Sequence, residues 1–291
     1  MIQPNPDLAV LYSELVLSLY PILIKTVNTN IFTQVLARFL VFPSLALAFG
    51  SSTNFSSIWS NPYEAFVAIL NNLLNLGHVA TSYISFKNLP VGTAIALFYL
   101  YPIFNIIAGA LLFGESLSLF SILLIATAFF GTYLIATAHQ EENTTQIEKR
   151  KRKYGIIMAI VAALTETMIF IFVKSNTDAS ISPYYTINHL YPAGLAILLG
   201  YAIFNTNIVD ISKLNWAKLL GFNAFLGFTG YVLRFYAIPK ISTLTFSLLS
   251  FFGVAFGYIW GILFTKDVPT MKGLLGGGLI AGATSLLRYF G

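Results

Sequence analysis

Charged side chains lie inside long apolar stretches of this sequence, where ionised groups are rare. They are two carboxylates and two guanidiniums, and two histidines lie in similar stretches: Glu14, Glu166, Arg38, Arg234, His78 and His189. On insertion scales a charge at the centre of a membrane-spanning helix costs about 2.5 to 3.5 kcal/mol, so each of these residues is a candidate for function. A carboxylate that is desolvated but close to a cation can exchange a proton, and this is the chemistry that the set suggests.

The composition places these residues in a lipid bilayer. Of 291 residues, 57% are hydrophobic and 9% are charged, whereas about 25% are charged in an ordinary soluble domain. The mean hydropathy is +0.77. The sequence has no cysteine, which excludes a disulfide framework and a thiolate nucleophile. The net charge is +5, but five of the sixteen lysines and arginines form one run at 149–153, so we expect no nucleic-acid partner.

Apolar blocks of about twenty residues follow one another along the chain, and each is long enough to cross roughly 30 Å of hydrocarbon. A strongly polar segment, Gln140–Lys153, separates five blocks from five. The pattern predicts an all-α integral membrane fold of ten transmembrane helices, with a first repeat at 1–139, a polar basic linker at 140–153 and a second repeat at 154–291. The predicted helices are Leu8–Val27, Ile31–Gly50, Tyr63–Phe86, Pro90–Phe113, Leu117–Ala138, Tyr154–Val173, Pro183–Asn205, Trp216–Ile238, Ile241–Thr265 and Met271–Phe290.

The two halves match in detail. A spacing of 149 residues separates Lys25 from Lys174, Pro43 from Pro192, and Pro90 from Pro239. Similar turns follow at Gly114–Glu115 and Lys266–Asp267. Because each half has an odd number of spans, the second half enters the membrane upside down relative to the first. Inverted repeats of this kind are a recurrent plan among secondary transporters. We also expect a kink at Pro21 and a polar loop at Ser51–Pro62.

These features carry a family resemblance. The fourth block reads NLPVGTAIALFYLYPIFNIIAGALLFGES, an arginine lies early in the second block within QVLARFLVF, and the last block is rich in glycine. With five plus five helices, the chain resembles the EamA-like members of the drug/metabolite transporter superfamily over essentially its whole length. The resemblance implies secondary transport of small organic metabolites, with helices five and ten at the periphery. The ninth block departs from the pattern, because Phe251 and Phe252 stand where a proline is usual.

Depth along the helices predicts which candidates meet. Counting from the helix ends, four residues lie roughly 9 to 12 Å below the face that holds both termini, with Arg234 slightly shallower. The four are Glu14, Asn105, Glu166 and His189. We expect them to line a polar cavity in which Arg234 counters a glutamate. Arg38 and His78 are expected nearer the opposite face. Small multidrug resistance proteins, related to the superfamily, use a first-helix glutamate for coupling, and Glu14 has a comparable position.

Structural roles compete with each of these assignments. Glu14 and Arg234 could form a static ion pair, and Arg38 could extend along the helix to polar groups near its end. The asparagines at 71, 72 and 75 could hold helices together. Tyrosines within the spans, Tyr101 among them, could stack a nucleobase or a cation, or simply pack.

The function that we predict from the sequence is secondary transport of small organic metabolites by alternating access, either proton-coupled or by exchange. A nucleotide-sugar or phosphorylated-solute antiporter is one alternative, and a non-transporting membrane receptor or assembly factor is another. The sequence contains no G-x-x-x-x-G-K-[ST], H-E-x-x-H or G-x-S-x-G, so we expect no enzyme activity, no cofactor and no metal site. The expected partners are a small-molecule substrate, the lipid bilayer and a second copy of the chain. The positive-inside rule places both termini outside, whereas the resemblance favours cytosolic termini.

Overall fold

The computed structural model describes residues 4–50, 52–137, 146–175, 182–265 and 268–290. Within these ranges every regular element is helical, and no strand occurs. Seven of the described helices are long and apolar enough to cross a membrane. The predicted all-helical membrane fold is thereby confirmed for this part of the chain, but the number of ten spans is not. The third, eighth and tenth predicted spans are not among the seven.

The helices follow the predicted blocks closely, although several blocks contain two helices. In the described ranges the α-helices are α1 Pro6–Leu17, α2 Tyr20–Thr26, α3 Ile31–Phe49, α4 Ser52–Ser60, α5 Pro62–Asn88, α6 Val91–Phe98, α7 Tyr101–Leu112, α8 Leu119–Ala136, α9 Gln146–Ser175, α10 Pro183–Leu190, α11 Pro192–Phe204, α12 Lys213–Phe222, α13 Phe228–Ala237, α14 Thr243–Ser250, α15 Phe252–Thr265 and α16 Met271–Phe290. Single 3₁₀ turns cover Thr206–Ile208 and Ile238–Lys240. The predicted turn at Gly114–Glu115 is present, with a positive φ of 65° at Gly114.

Four predicted spans are broken into two helices each. Three breaks precede a proline in the first turn of the second helix, at Pro21, Pro102 and Pro192. Proline has no N–H to donate and its ring clashes with the preceding turn, so a helix tends to end just before it. The fourth break, between α14 and α15, has no proline. There the Phe251 N–H donates to the Leu248 carbonyl at 3.2 Å, which is a tightened final turn.

Two expectations about the connections are wrong. The segment Ser51–Pro62 is not an irregular loop, because α4 occupies most of it and buries the side chain of Ile58 completely. The basic run at 149–153 belongs to the first turns of α9, so that part of the expected linker is helical. Residues 138–145 and the turn at Lys266–Asp267 lie outside the described ranges.

The closest helix packing joins the first half of the chain to the second. The main pairs are α1 with α13, α5 with α9, α7 with α14, and α8 with α16. Gly131 on α8 and Gly276 on α16 face each other, since a Cβ on either would lie 2.6 or 2.5 Å from the other's carbonyl oxygen. Small residues permit this close approach of two membrane helices. The two halves are therefore interleaved, and a site at their boundary draws side chains from both.

Asparagines on α5 satisfy the backbone where α10 ends and α11 begins. Asn72 donates to the His189 carbonyl at 2.9 Å and accepts from the Gly194 N–H at 3.0 Å. Asn75 donates to the Leu190 carbonyl at 2.9 Å. Backbone groups freed by a break must find partners because the bilayer core supplies none. These two asparagines hold the helices together, which was one of the roles considered for them.

The eighth predicted span contains one turn of π-helix, Asn223–Gly227, between α12 and α13. The Tyr20 hydroxyl donates to the Asn223 side-chain oxygen at 2.8 Å. Gly227 lies so close that a Cβ there would overlap the same hydroxyl. Tyr20 therefore fits against both ends of the π turn, which inserts one extra residue ahead of α13 and Arg234.

Candidate functional site

Glu14 on α1 is fully buried and accepts three hydrogen bonds. The Tyr99 hydroxyl donates to Oε2 at 2.5 Å, and the Tyr101 hydroxyl donates to Oε1 at 3.2 Å. The Arg234 Nη1 donates to Oε1 at 2.6 Å. Tyr99 and Tyr101 flank the break between α6 and α7, so the broken helix aims both hydroxyls at one carboxylate. Three donors, one of them the cation Arg234, satisfy the ionised form of Glu14.

Arg234 on α13 joins two carboxylates from different halves of the chain. Besides Glu14, it contacts Glu166 on α9, with Nη2 2.7 Å from Oε1. The side chains of Arg234, Glu14 and Glu166 are 4%, 0% and 5% exposed, respectively. The guanidinium also lies 5.0 Å from the ring centroid of Tyr101. We call Glu14, Arg234, Glu166 and His78 the ionic centre.

His78 on α5 is the fourth member of the ionic centre, and its contacts indicate where the centre needs a proton. Its Nδ1 lies 3.1 Å from the Ala162 carbonyl oxygen, which can only accept, and 3.3 Å from the Thr165 hydroxyl, whose own hydrogen goes to the Val161 carbonyl at 2.8 Å. Both neighbours therefore favour a hydrogen on Nδ1. Its Nε2 lies 3.2 Å from Oε2 of Glu166. Oε2 has no hydrogen bond of standard geometry among the described residues. A neutral ring would present a lone pair to the carboxylate, so one proton is needed between Nε2 and Oε2.

Arg38 on α3 lies in a separate pocket of aromatic rings. Its Nε and Nη2 donate to the Tyr191 hydroxyl at 3.1 and 2.8 Å. The guanidinium carbon lies 4.4 Å from the ring centroid of Tyr231 and 5.0 Å from those of Tyr20 and Phe42. Cations are attracted to the faces of such rings. Among the described residues, no ion pair with a carboxylate includes Arg38.

One cavity connects the ionic centre with Arg38. It has a volume of about 450 Å³. Its lining includes His78, Glu166 and Arg234 of the ionic centre together with Arg38 and Tyr83. The gaps between these side chains admit only groups about the size of a water molecule, so the cavity is too narrow for a metabolite in this conformation.

The structure brings only some of the predicted residues together. Glu14, Glu166, Arg234 and Tyr101 are in contact, as described above. His189 lies apart, with Nε2 3.5 Å from Glu64 Oε2 and its ring 4.7 Å from that of Tyr185. Asn105 is fully buried on α7, and its amide has no hydrogen bond among the described residues. It does not line the cavity.

Conversely, His78 was expected nearer the opposite face than Glu166, and this expectation is wrong, since its Nε2 lies 3.2 Å from Glu166 Oε2. The same expectation for Arg38 stays a prediction. The helix α5 has 27 residues, which is about 40 Å at about 1.5 Å per residue. Such a helix exceeds the hydrocarbon thickness, so counting from its ends misplaces His78. Sequence reasoning missed Tyr83, and it counted Tyr99 only among the span tyrosines that could face a cavity, not among the site residues. The Tyr99-x-Tyr101-Pro102 spacing could have indicated Tyr99, because it places two hydroxyls beside one proline break.

Seven described helices able to cross a membrane, together with charged side chains buried among them, define an integral multi-pass membrane protein. The sequence matches the EamA-like transporter family over residues 5–137 and 153–289, and the chain belongs to that family. It is 27% identical over 192 residues to a protein of Bacillus subtilis (strain 168) named "Uncharacterized transporter YxxF". That match covers 66% of this chain and 60% of the relative's length.

A solved structure described only as "Crystal structure of protein" has the same fold. It superposes with a TM-score of 0.77 and covers 98% of this chain and 99% of its own, at 13% sequence identity. At that identity the likeness concerns the fold alone. The family and the named relative support a membrane transporter.

Proposed function

We propose that this protein is a secondary transporter that moves a small organic metabolite by alternating access and couples that movement to protons. The proposed architecture is ten spans in two inverted repeats, 1–139 and 154–291, joined by the segment 140–153. The observation that supports it best is the ionic centre, in which α1 and α5 of the first half meet α9 and α13 of the second. A rocking motion between the halves would change the surroundings of this centre.

The coupling proton is assigned to the Glu166–His78 pair. Glu14 already accepts three hydrogen bonds, so it needs no proton. Glu166 has one oxygen on Arg234 and the other beside the Nε2 lone pair of His78. With a proton the centre contains two negative and two positive charges, and without it one negative charge is unmatched. Buried charge is stable only when paired, so release of the proton favours a state in which water reaches the pair.

A flux measurement on purified protein in proteoliposomes tests this proposal. The vesicles are exposed to a mixture of labelled metabolites under a pH gradient of either sign, and their contents are read by mass spectrometry. We expect the wild type to concentrate at least one solute. Glu166→Gln fixes the neutral form, so it should abolish concentration driven by the pH gradient while exchange without a gradient continues.

Glu64→Gln is the matched control, since Glu64 also faces a histidine, His189, outside the cavity. It should behave as the wild type. Vesicles that take up nothing beyond protein-free liposomes would contradict transport and favour a receptor role. Full accumulation by Glu166→Gln under the same gradient would leave transport intact and overturn the assignment of the proton.

A further inference from the structure

Arg38 is a buried cation without a carboxylate partner among the described residues, although it lies beside a cavity that contains carboxylates. Its exposure is 2%, and its polar contacts of standard geometry go to the Tyr191 hydroxyl alone. A guanidinium has five N–H donors in a planar fork. Nε and Nη2 donate to the Tyr191 hydroxyl, and the hydroxyls of Tyr83 and Tyr231 also lie beside the guanidinium. The partners of Arg38 in the described chain are thus neutral hydroxyls and aromatic rings. Aromatic rings compensate a buried charge only in part.

A second donor lies beside it. Tyr83 on α5 lines the same cavity and is 1% exposed. Its hydroxyl lies beside the Arg38 guanidinium and the Tyr20 hydroxyl. Arg38 on α3 and Tyr83 on α5 therefore place a cation and a hydroxyl beside one cavity, and no carboxylate of the described residues forms an ion pair with Arg38. Buried charges are normally paired, so this arrangement points to an acceptor that enters from outside.

The charges around the cavity define which acceptor fits. The charged groups that line it are Arg38 from α3, His78 from α5, Glu166 from α9 and Arg234 from α13. Glu14 from α1 lies next to this lining as an ion-pair partner of Arg234. The neutral hydroxyls of Tyr20 on α2 and of Tyr99, which follows α6, lie on residues of the same lining. With the proton on the Glu166–His78 pair, the five groups sum to +1. A monovalent anion brings the sum to zero.

We propose that Arg38 and Tyr83 bind the carboxylate of a transported organic monoanion, which moves together with the proton of the Glu166–His78 pair. This inference rests on the proposed transport function and names its substrate class. A carboxylate suits the site because its two oxygens match the planar fork of a guanidinium. A dianionic phosphate ester would leave one negative charge unmatched. After both anion and proton leave, the five groups sum to zero, so the empty carrier can return without a net buried charge.

Binding to the purified full-length protein in detergent tests the anion site. The probes are monocarboxylates of two to seven carbons, each paired with its neutral amide, and thermal unfolding at increasing concentration gives the apparent Kd. We expect one or more carboxylates, but not the corresponding amides, to stabilise the wild type. Arg38→Gln should weaken that binding by roughly ten- to a hundredfold, the worth of charge-assisted hydrogen bonds. Arg38→Lys keeps the charge but loses the planar guanidinium, so its affinity should lie between those of the wild type and Arg38→Gln.

Arg150→Gln, an exposed change on α9, is the matched control and should bind as the wild type. With its proton the ionic centre is neutral without Arg38, so at a pH at which the Glu166–His78 pair keeps that proton, Arg38→Gln without ligand should unfold no earlier than the wild type. If Arg38→Gln does not fold, Arg38→Lys and Tyr83→Phe, each expected to bind less tightly, give the same test. Equal stabilisation by acids and amides, or wild-type affinity in the Arg38 variants, overturns the site.

Flux separates this inference from the proposed function. A carboxylate that binds through Arg38 but never crosses the proteoliposome membrane would refute transport and leave the anion site standing. Uptake of neutral or cationic solutes only, unchanged in Arg38→Gln, would refute the anion site and leave transport standing. For the proposed one-to-one symport, uptake of the carboxylate should respond to the pH gradient and not to a potassium diffusion potential set with valinomycin.

Discussion

Removal of the guanidinium of Arg234 should destabilise the protein more than the loss of any other single charge in the described chain. Arg234→Gln leaves Glu14 and Glu166 buried at 0% and 5% side-chain exposure, without the cation now 2.6 and 2.7 Å away. Breaking a buried ion pair by removing one partner costs about 3 to 5 kcal/mol. At 2 to 4 °C per kcal/mol, as in domains of 150–250 residues, the thermal midpoint should fall by roughly 6 to 20 °C.

The assay is thermal unfolding of the purified variants in one detergent, compared with the exposed control Arg150→Gln. A second change should restore stability unequally. Glu14→Gln added to Arg234→Gln leaves Glu166 with the proton of His78, so it should recover most of the loss. Glu166→Gln added instead leaves Glu14 ionised with only Tyr99 and Tyr101 as donors, so it should recover less. An Arg234→Gln midpoint within about 2 °C of the wild type, or equal recovery by both pairs, would refute the reasoning.

Other predictions follow from single contacts. Gly253→Ala would place a methyl group on the Tyr99 hydroxyl and should lower the free energy of unfolding by about 1–3 kcal/mol. Gly277→Ala, where a methyl would meet no atom within 4 Å, should leave the stability unchanged or slightly raised. Equal thermal midpoints of the two variants would contradict this. Asn72→Leu leaves the His189 carbonyl and the Gly194 N–H unpaired and should cost about 2–4 kcal/mol, while Asn71→Leu should cost little, again by thermal unfolding. Hydrogen bonds from the Ser212 N–H and the Asn215 amide lower the pKa of Asp210, in the connection before α12, below its ordinary 3.8. The wild type should therefore keep this stabilisation above about pH 3.8 and lose it as the pH falls through the lowered pKa, and Asp210→Asn should show a flatter unfolding profile below pH 3.8.

The helical blocks were predictable because twenty-residue apolar runs have one stable form in lipid. The breaks before Pro102 and Pro192 follow from proline chemistry in the same local way. The break at Phe251 does not, since nothing in Phe251–Phe252 disfavours a helix. It depends on neighbouring helices, which the chain approaches only after folding.

The ionic centre was only partly predictable. The costs of burial identified Glu14, Glu166 and Arg234 one by one, and the need for a counterion linked a glutamate to Arg234. The partner of Glu166, His78, was assigned to the wrong depth because helix length and tilt cannot be read from a residue count. His189 met the same depth criterion as Glu14 but faces Glu64 instead. Depth along a helix helped to choose candidate residues. The direction in which each side chain points could be known only from the packing of the helices.

The π turn at Asn223–Gly227 sets the rotational phase of everything that follows it on the same span. If that turn tightened into ordinary α-helix, the downstream segment would rotate by about 100° and advance by about 1.5 Å. This rotation would move the Arg234 guanidinium away from both Glu14 and Glu166. Tyr20 contacts both Asn223 and Gly227, and these contacts stabilise the π-helical turn. The position of Arg234 relative to the two carboxylates therefore depends on the winding of residues 223–227.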